Sequence, residues 1–307
     1  MKFLHVGDFD CAGVAWHHRC ALIGQGHECR TIFKRPTYVG HRADHWLGEA
    51  HPGFTDATAI EWLDWADRVF VHVGYEVDFA RTDTHEVKEL LPYQNKMILW
   101  ANGSYGVRRC RDEYRQRYAA FRGVATNHDV AAGLNFTWMP ACIEDMADAG
   151  QRMWVYEESV EKTLGHPWSD RALKNVDDAR AAAEDAHWAY HDFMGRPHGL
   201  SLRLRSTCRA VFDHWQGYFG LTTMEATAMG QPVVLGANAE AMAALAAWGA
   251  PDPPWRRATN RAELAALLLS WGGPGMADEG AALRRWHETY FTNAIKIRRF
   301  LEWLVAS

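Results

Sequence analysis

The sequence predicts an α/β protein of two domains, the first an open, doubly wound parallel sheet and the second repeating strand and helix more sparsely, and three observations carry that expectation. The first is a βαβ opening: Lys2-Phe3-Leu4-His5-Val6 reads as a short strand, a helix runs from Gly13 through Leu22, and Glu28 to Phe33 forms a second strand after the break at Gly24-Gln25-Gly26-His27. The second is the stretch GYFGLTTMEATAMGQPVV at 217–234, in which a glycine-bracketed helix is followed by the β-branched run Pro232-Val233-Val234-Leu235 ending at Gly236. A short, continuously apolar run of that kind suits a strand buried on both faces of a parallel sheet. The third is length, because 307 residues are enough for two separate cores.

The remaining elements follow in order. Ala66 to Val73 and Lys96 to Trp100 read as strands, with shorter ones at Val124–Thr126 and Thr137–Pro140. After about residue 150 the chain turns acidic and then enters a helix spanning Val176 to Tyr190. Arg209–Asp213 and Pro232–Leu235 are strands, Ala239–Trp248 is a helix, and 262–271 and 281–306 read as two further helices. We therefore expect a first domain over 1–150, a second over 151–285, and a terminal helix over 286–307 that packs back on the first.

Within the 217–234 stretch, Thr222 or Thr223 is a candidate N-cap and Gly230 a left-handed C-cap, which brackets a helix from about Thr223 to Met229. Glu225 then falls in the first turn, where the positive end of the helix dipole favours an anion by roughly 0.3–1 kcal/mol. Complementing that dipole is one reading of the glutamate, and binding a ligand is the other.

Composition narrows the function classes. The net charge of −5 rules out a global polycation, although a local basic patch is still compatible with it. No apolar run reaches the roughly 18 residues of a spanning helix, and the start turns acidic too soon for a secretory signal, so a cytoplasmic protein is expected. Six cysteines without a C-x-x-C pair read as reduced thiols, with no disulfide and no zinc site. The sixteen histidines form no H-E-x-x-H spacing, and the adjacent His17 and His18 point to different helix faces, so no metal is expected.

Ligands of doubly wound sheets bind outside the carboxyl ends of the strands, which directs attention to four loops. In the first, Gly13 opens a helix where backbone N–H groups can approach an anion; a simple tight turn fits the same residues. In the second, Asn102-Gly103-Ser104 follows a buried strand and leads into Tyr105 and Arg108-Arg109, suiting either a ligand or a turn cap. The third holds Ser169, Arg171 and Lys174 at a helix entrance, where a three-residue spacing puts both cations on one face. Hydrogen bonds to charged groups contribute about 1.5–3 kcal/mol each, enough for such a pair to govern diphosphate binding, and a solvated basic face is the alternative. The fourth is the Glu225 stretch itself, whose carboxylate can accept both protons of a ribose diol.

The run from Phe212 to Val234, with Gly220-Leu221, Glu225-Ala226, Ala228, Gly230 and Pro232-Val233-Val234, resembles the G-x-G-L-x-x-x-E-A-x-A-x-G-x-P-V-V donor-site signature of retaining glycosyltransferases of family 4. The resemblance implies the GT-B fold, two Rossmann-like domains facing across a cleft, and transfer of a sugar from a UDP- or GDP-sugar to an acceptor hydroxyl with retention. It implies no metal and no cofactor beyond the donor substrate. By motif, Arg171 and Lys174 would stabilise the leaving diphosphate, with Asn102 beside them as a catalytic residue. Gly13, Ser169, Gly220, Leu221, Thr222 and Glu225 would hold the donor. The chain departs from the family in three places: the usual E-x7-E spacing finds Gly217, beside Gln216, in place of the earlier glutamate, Asn102 stands where many members have histidine, and the second domain is short between Asn175 and Arg209, so its sheet is expected to lack a strand and a helix.

The acceptor side is read from Tyr105, Arg108 and Arg109 at the head of a row of six arginines in fifteen residues, 108–122. Either a solvated helix face or an anionic acceptor explains it. Small enzymes resembling this family occur in bacteriophages and glycosylate hydroxymethylated pyrimidines in DNA, so a DNA acceptor, with Trp46, Tyr38 or Tyr105 stacking on a flipped base, stands beside a glycan or small-molecule acceptor. A third reading is a protein that binds nucleotide sugars without turnover.

Overall fold

A computed structural model describes residues 1–36, 40–48, 55–73, 90–102, 111–119, 121–144, 162–167, 171, 172, 174–271 and 276–306. The chain divides into two compact units, one formed by Met1–Cys142 with Asn293–Ser307 and the other by Ile143–Thr292.

The first unit carries seven parallel strands, β1 (Lys2–Gly7), β2 (Glu28–Phe33), β3 (His45–Trp46), β4 (Arg68–Val73), β5 (Met97–Ala101), β6 (Gly123–Ala125) and β7 (Thr137–Trp138), in the order 3-2-1-4-5-6-7. The strand order reverses between β1 and β4. Alternation along the strands gives the sheet two unlike faces. Leu4, Val6, Val69, Val71 and Leu99 form an aliphatic face that packs with Ala59 and Leu63 of the helix Ala57–Trp65 and with Val130 and Leu134 of the helix His128–Leu134. Phe3, His5, Phe70, His72 and Trp100 form an aromatic face, met by His18 of the helix Val14–Gly24 and Phe300 of the helix Asn293–Ala306.

The second unit carries five parallel strands, β8 (Thr163–His166), β9 (Ala189–Asp192), β10 (Ala210–Phe212), β11 (Val233–Leu235) and β12 (Arg256–Arg257), in the order 12-11-10-8-9. Here the reversal falls between β8 and β10. Leu164, Phe212 and Val234 pack with the small face of the helix Val176–Asp185 and with Leu264 and Leu268 of the helix Arg261–Ser270.

Four expectations about elements are corrected. The helix expected over Val176 to Tyr190 stops at Asp185, because His187 turns to a left-handed backbone (φ 58) and Tyr190 belongs to β9. The interval between Asn175 and Arg209 thus supplies β9 and the helix His198–Ser206. The span 281–306 is two helices, Met276–Tyr290 and Asn293–Ala306, parted at Phe291, whose ring is wholly buried in the second unit against Phe219, Trp248 and Trp286. The helix that carries Glu225 runs Leu221–Met229, two residues earlier than expected.

Candidate functional site

That early start changes the role of its first residues. Gly220, extended at φ −119 and ψ −168, is the N-cap and offers no side chain, so neither Thr222 nor Thr223 caps the helix. The Thr223 hydroxyl instead donates to Asp213 Oδ2 at 2.7 Å, and the Gly220 N–H approaches the same oxygen at 3.4 Å. Gly230 does close the helix in the left-handed conformation (φ 71), as expected. Glu225 is therefore the fifth helical residue, beyond the first turn where the dipole acts, and it is buried. Two cations hold it. Arg205 Nη2 donates to Oε2 at 2.6 Å and His198 Nε2 to Oε1 at 2.5 Å.

Arg205 and His198 stand seven residues apart on one helix, two turns along the same face, and this arrangement was not anticipated from the sequence. Gln231 buttresses it by donating Nε2 to the Arg205 carbonyl at 2.5 Å and to the Cys208 carbonyl at 2.8 Å. Glu144 Oε2 lies 3.3 Å from His198 Nδ1. Burial alone would lower the His198 pKa, but the Glu225 charge and the hydrogen bonds to Glu144 and Glu225 outweigh it and raise the value to about 9. At neutral pH the group is a carboxylate clamped between two positive charges.

A second charged group straddles the strand reversal. Asp213 directly follows β10, and Lys174 lies in the turn that follows β8; Lys174 Nζ donates to Asp213 Oδ1 at 2.8 Å. Asp213 is fully buried, and burial pushes its pKa up, yet His214, Lys174 and the Thr223 hydroxyl together hold it well below the usual carboxylate range. Its backbone carbonyl also accepts from His166 Nε2 at 3.1 Å. Burial and the Lys174 charge lower the His166 pKa to about 4, so this ring is neutral.

The expected helical pairing of the two cations is not what forms. Asn175 is left-handed (φ 55) and the helix begins at Val176, so Arg171 and Lys174 lie in a turn and share no helix face. Arg171 is exposed and forms an ion pair with exposed Asp177, its Nε donating to Oδ2 at 3.1 Å. Ser169 lies outside the described residues.

In the first unit, Gly13 precedes the helix Val14–Gly24 with φ 75, and a Cβ there would meet the His41 ring at 2.7 Å. Two of the N–H groups that an anion would use are already capped, since Asp10 accepts from Ala15 N at 2.8 Å and Trp16 N at 3.0 Å. Burial raises the Asp10 pKa to about 7 against those two hydrogen bonds. Asn102 follows β5, its Nδ2 3.1 Å from His72 Nδ1. Tyr105, Arg108, Arg109 and Tyr38 lie outside the described residues, and Trp46 is partly exposed on the edge strand β3.

Two other arginines of the row are structural rather than free. Arg115 donates Nε to the Gly133 carbonyl at 2.9 Å at the end of the helix His128–Leu134. Arg122 stacks on Trp303 at 3.9 Å and donates Nη2 to the Trp303 carbonyl at 2.7 Å. Cations belong at such carbonyl-bearing helix ends. The glycine found where the motif resemblance expects a glutamate is fixed by its backbone: Gly217 takes φ 83, and a Cβ there would meet Asn238 Nδ2 at 2.8 Å.

No protein-family model matches the chain, and no curated protein matches it in sequence. Solved structures match it in shape. WaaG, a glycosyltransferase involved in lipopolysaccharide biosynthesis, is 14% identical with a TM-score of 0.60, covering 97% of this chain and 98% of its own. HepE from Anabaena, solved in complex with UDP-glucose, is 10% identical with a TM-score of 0.66 and covers 100% of both chains. T4 phage BGT, solved with UDP and Mn2+, is 10% identical with a TM-score of 0.59, covering 98% and 99%. No helix among the described residues is long and apolar enough to cross a membrane. On this evidence the chain has the GT-B glycosyltransferase fold, with two Rossmann-like units each built on a parallel sheet.

Proposed function

We propose that this protein is a cytoplasmic glycosyltransferase that moves a sugar from a UDP- or GDP-sugar to an acceptor hydroxyl with retention and without a metal. The observation that carries the reading is Glu225, an ionised carboxylate fixed by Arg205 and His198 on the helix that opens at Gly220. A carboxylate so held is a rigid acceptor for a ribose diol, with no side-chain ordering left to be done on binding. The solved complexes of HepE with UDP-glucose and of T4 phage BGT with UDP support a uridine donor.

In the transfer, the bond from the sugar's anomeric carbon to the diphosphate breaks, and the acceptor oxygen bonds to that carbon from the same face. The acceptor's proton leaves with the diphosphate. Lys174, at the carboxyl edge between β8 and β10, and Arg171 nearby in the chain stabilise the charge that develops on the leaving group. Lys174 reaches that charge by sharing or leaving Asp213. Gly13, Ser169, Gly220, Leu221 and Thr222 complete the donor site in this reading. Asn102 is the third catalytic residue, and Tyr105, Arg108 and Arg109 serve the acceptor side, where a glycan or small molecule is preferred to DNA because Arg115 and Arg122 already cap helices.

The test measures nucleotide-diphosphate release from a panel of UDP- and GDP-sugars, with and without chelator, and with and without DNA containing hydroxymethylcytosine. Chelator-resistant release from a UDP-sugar is the expected result. Release that rises only with the modified DNA would replace the acceptor, and donor binding without release under any condition would replace the enzyme by a binding protein.

A further inference from the structure

Three histidines of the first unit's aromatic face touch end to end. His18 Nδ1 lies 3.1 Å from His5 Nε2, His5 Nδ1 lies 2.7 Å from His72 Nε2, and His72 Nδ1 lies 3.1 Å from Asn102 Nδ2. The three rings come from the helix Val14–Gly24, β1 and β4, and the asparagine follows β5, so four separate elements contribute to one line. The line runs from inside the sheet to its carboxyl edge.

A neutral imidazole has one N–H and one bare nitrogen, so the tautomer of each ring dictates that of the next. Burial holds all three rings neutral: the pKa falls to about 3 for His18 and His72, and lies well below the ordinary value for His5, where burial is joined by its two histidine neighbours and Arg19. Two arrangements are then self-consistent, with every N–H pointing one way or the other.

The two ends decide between them. His18 Nε2 is buried and has no oxygen or nitrogen partner among the described residues, in a ring packed against Phe70, Trp100 and Phe300 at centroid distances of 5.3, 4.5 and 5.1 Å. An N–H at that end meets π surfaces favourably, whereas a bare lone pair does not. A proton on His18 Nε2 makes His18 Nδ1 the acceptor from His5 Nε2–H, His5 Nδ1 the acceptor from His72 Nε2–H, and His72 Nδ1 the acceptor from the Asn102 amide. The amide is then held with Nδ2 on His72. Its Oδ1 is buried and without a partner among the described residues, which leaves one strong acceptor to be explained.

We propose that His18, His5 and His72 are positioning residues forming a single-tautomer relay that locks the Asn102 amide in one orientation, with Oδ1 left to accept from a hydroxyl of the substrate. The proposal rests on the reading of Asn102 as a residue of the transfer site. The rings donate no proton to the reaction; their task is to deny the amide its flipped state.

The experiment is long-range proton–nitrogen spectroscopy of the intact protein carrying isotope-labelled histidine, at about pH 7.5, where the tautomer of each ring is read directly. All three rings are expected as the Nε2–H form. In Asn102→Asp, where only oxygens face His72, the three rings are expected to switch together to the Nδ1–H form, including His18, which does not touch residue 102. A wild-type Nδ1–H ring at any of the three, or a variant in which His5 and His18 stay as they were, overturns the relay. UDP-glucose and a hydroxyl acceptor, added in turn to the wild type, are expected to move the Asn102 side-chain amide resonances while the ring tautomers hold. Resonances that stay still with both bound overturn the positioning role. Failure of either to bind removes the functional reading and that role with it, while the tautomer pattern is decided on its own spectra.

Discussion

The two units hold their buried polar groups by opposite means. In the second unit the groups are charged and paired, Lys174 with Asp213 and Glu225 between Arg205 and His198. In the first they are neutral and hydrogen-bonded in series, His18 to His5 to His72 to Asn102. A buried ion pair needs geometry good enough to offset the removal of both charges from water, and what it gains is a fixed place for charge. A neutral chain has a smaller desolvation penalty and fixes direction instead. The difference matches the proposed division of labour, an anionic diphosphate in one unit and an uncharged hydroxyl in the other.

The largest expected effect breaks the charged clamp. Glu225→Ala leaves Arg205 and His198 as buried positive charges, and a loss of about 3–5 kcal/mol in unfolding free energy is expected from denaturant titration, together with weakened donor binding. A loss under about 1 kcal/mol would show that the clamp is not a buried pair in solution.

Titration sharpens the comparison, because His198 and the three first-unit histidines respond to pH with opposite sign. His198 has its folded pKa raised from 6.5 to about 9, so its stabilisation is complete below pH 6.5 and is lost as pH rises through 9. For His18 and His72 the folded values fall to about 3, and for His5 well below 6.5, so their stabilisation is present above pH 6.5 and lost as pH falls through that lower window. One pH unit below 6.5, His18 and His72 each cost about 1.4 kcal/mol, and His5 acts in the same direction. Hydrogen exchange, corrected for the intrinsic rate, is expected to deprotect β1 and β4 on acidification from pH 6.5 and to deprotect the helix His198–Ser206 on alkalinisation toward pH 9. His166 of the second unit, held neutral down to about pH 4, shares the sign of the first-unit rings, so the comparison is read element by element, and a helix His198–Ser206 whose protection holds through pH 9 would contradict the assignment.

Lys174→Met is expected to lower turnover about a hundredfold, the scale for removing one group that stabilises developing charge. It also deprives buried Asp213 of a partner, at a further cost of about 1–3 kcal/mol in stability. Variants compared by turnover at temperatures well below unfolding separate the two effects, and near-wild-type turnover would remove Lys174 from the chemistry. The smallest effect is expected from Gly217→Glu, which supplies the glutamate of the E-x7-E spacing that the sequence lacks. The left-handed backbone and the Asn238 contact make it destabilising by about 1–3 kcal/mol, with no gain in turnover.

Where period and turn chemistry were both present, the sequence was legible to within a residue or two: β1, β2, β4 and β11 lie where their apolar runs put them, and Gly230 caps its helix as glycines do. The edge strands β3 and β12 have two residues each and leave no alternation to read. His187 ends a helix by going left-handed without glycine or proline to announce it. The site was harder, for a physical reason. Glu225, Lys174 and Asn102 were recognisable because a motif or a strand end marked them, but their partners lie 20, 39 and 30 residues away in Arg205, Asp213 and His72, and only strand order brings them together. Arg115 and Arg122 show the converse, since a row of like charge in sequence disperses onto helix ends once the chain folds.

The return of Asn293–Ala306 to the first unit bears on the order in which the protein can be made. The second unit is one uninterrupted stretch, Ile143–Thr292, and all of it is synthesised before the helix that carries Phe300. Phe3, Phe70, Trp100 and His18 must therefore wait, uncovered by that helix, through the synthesis of some 150 residues between the two parts of their own unit. Domains otherwise tend to fold in the order in which they emerge from the ribosome. In this chain the unit begun first is finished last, and the aromatic face is the surface most in need of protection while the nascent chain grows.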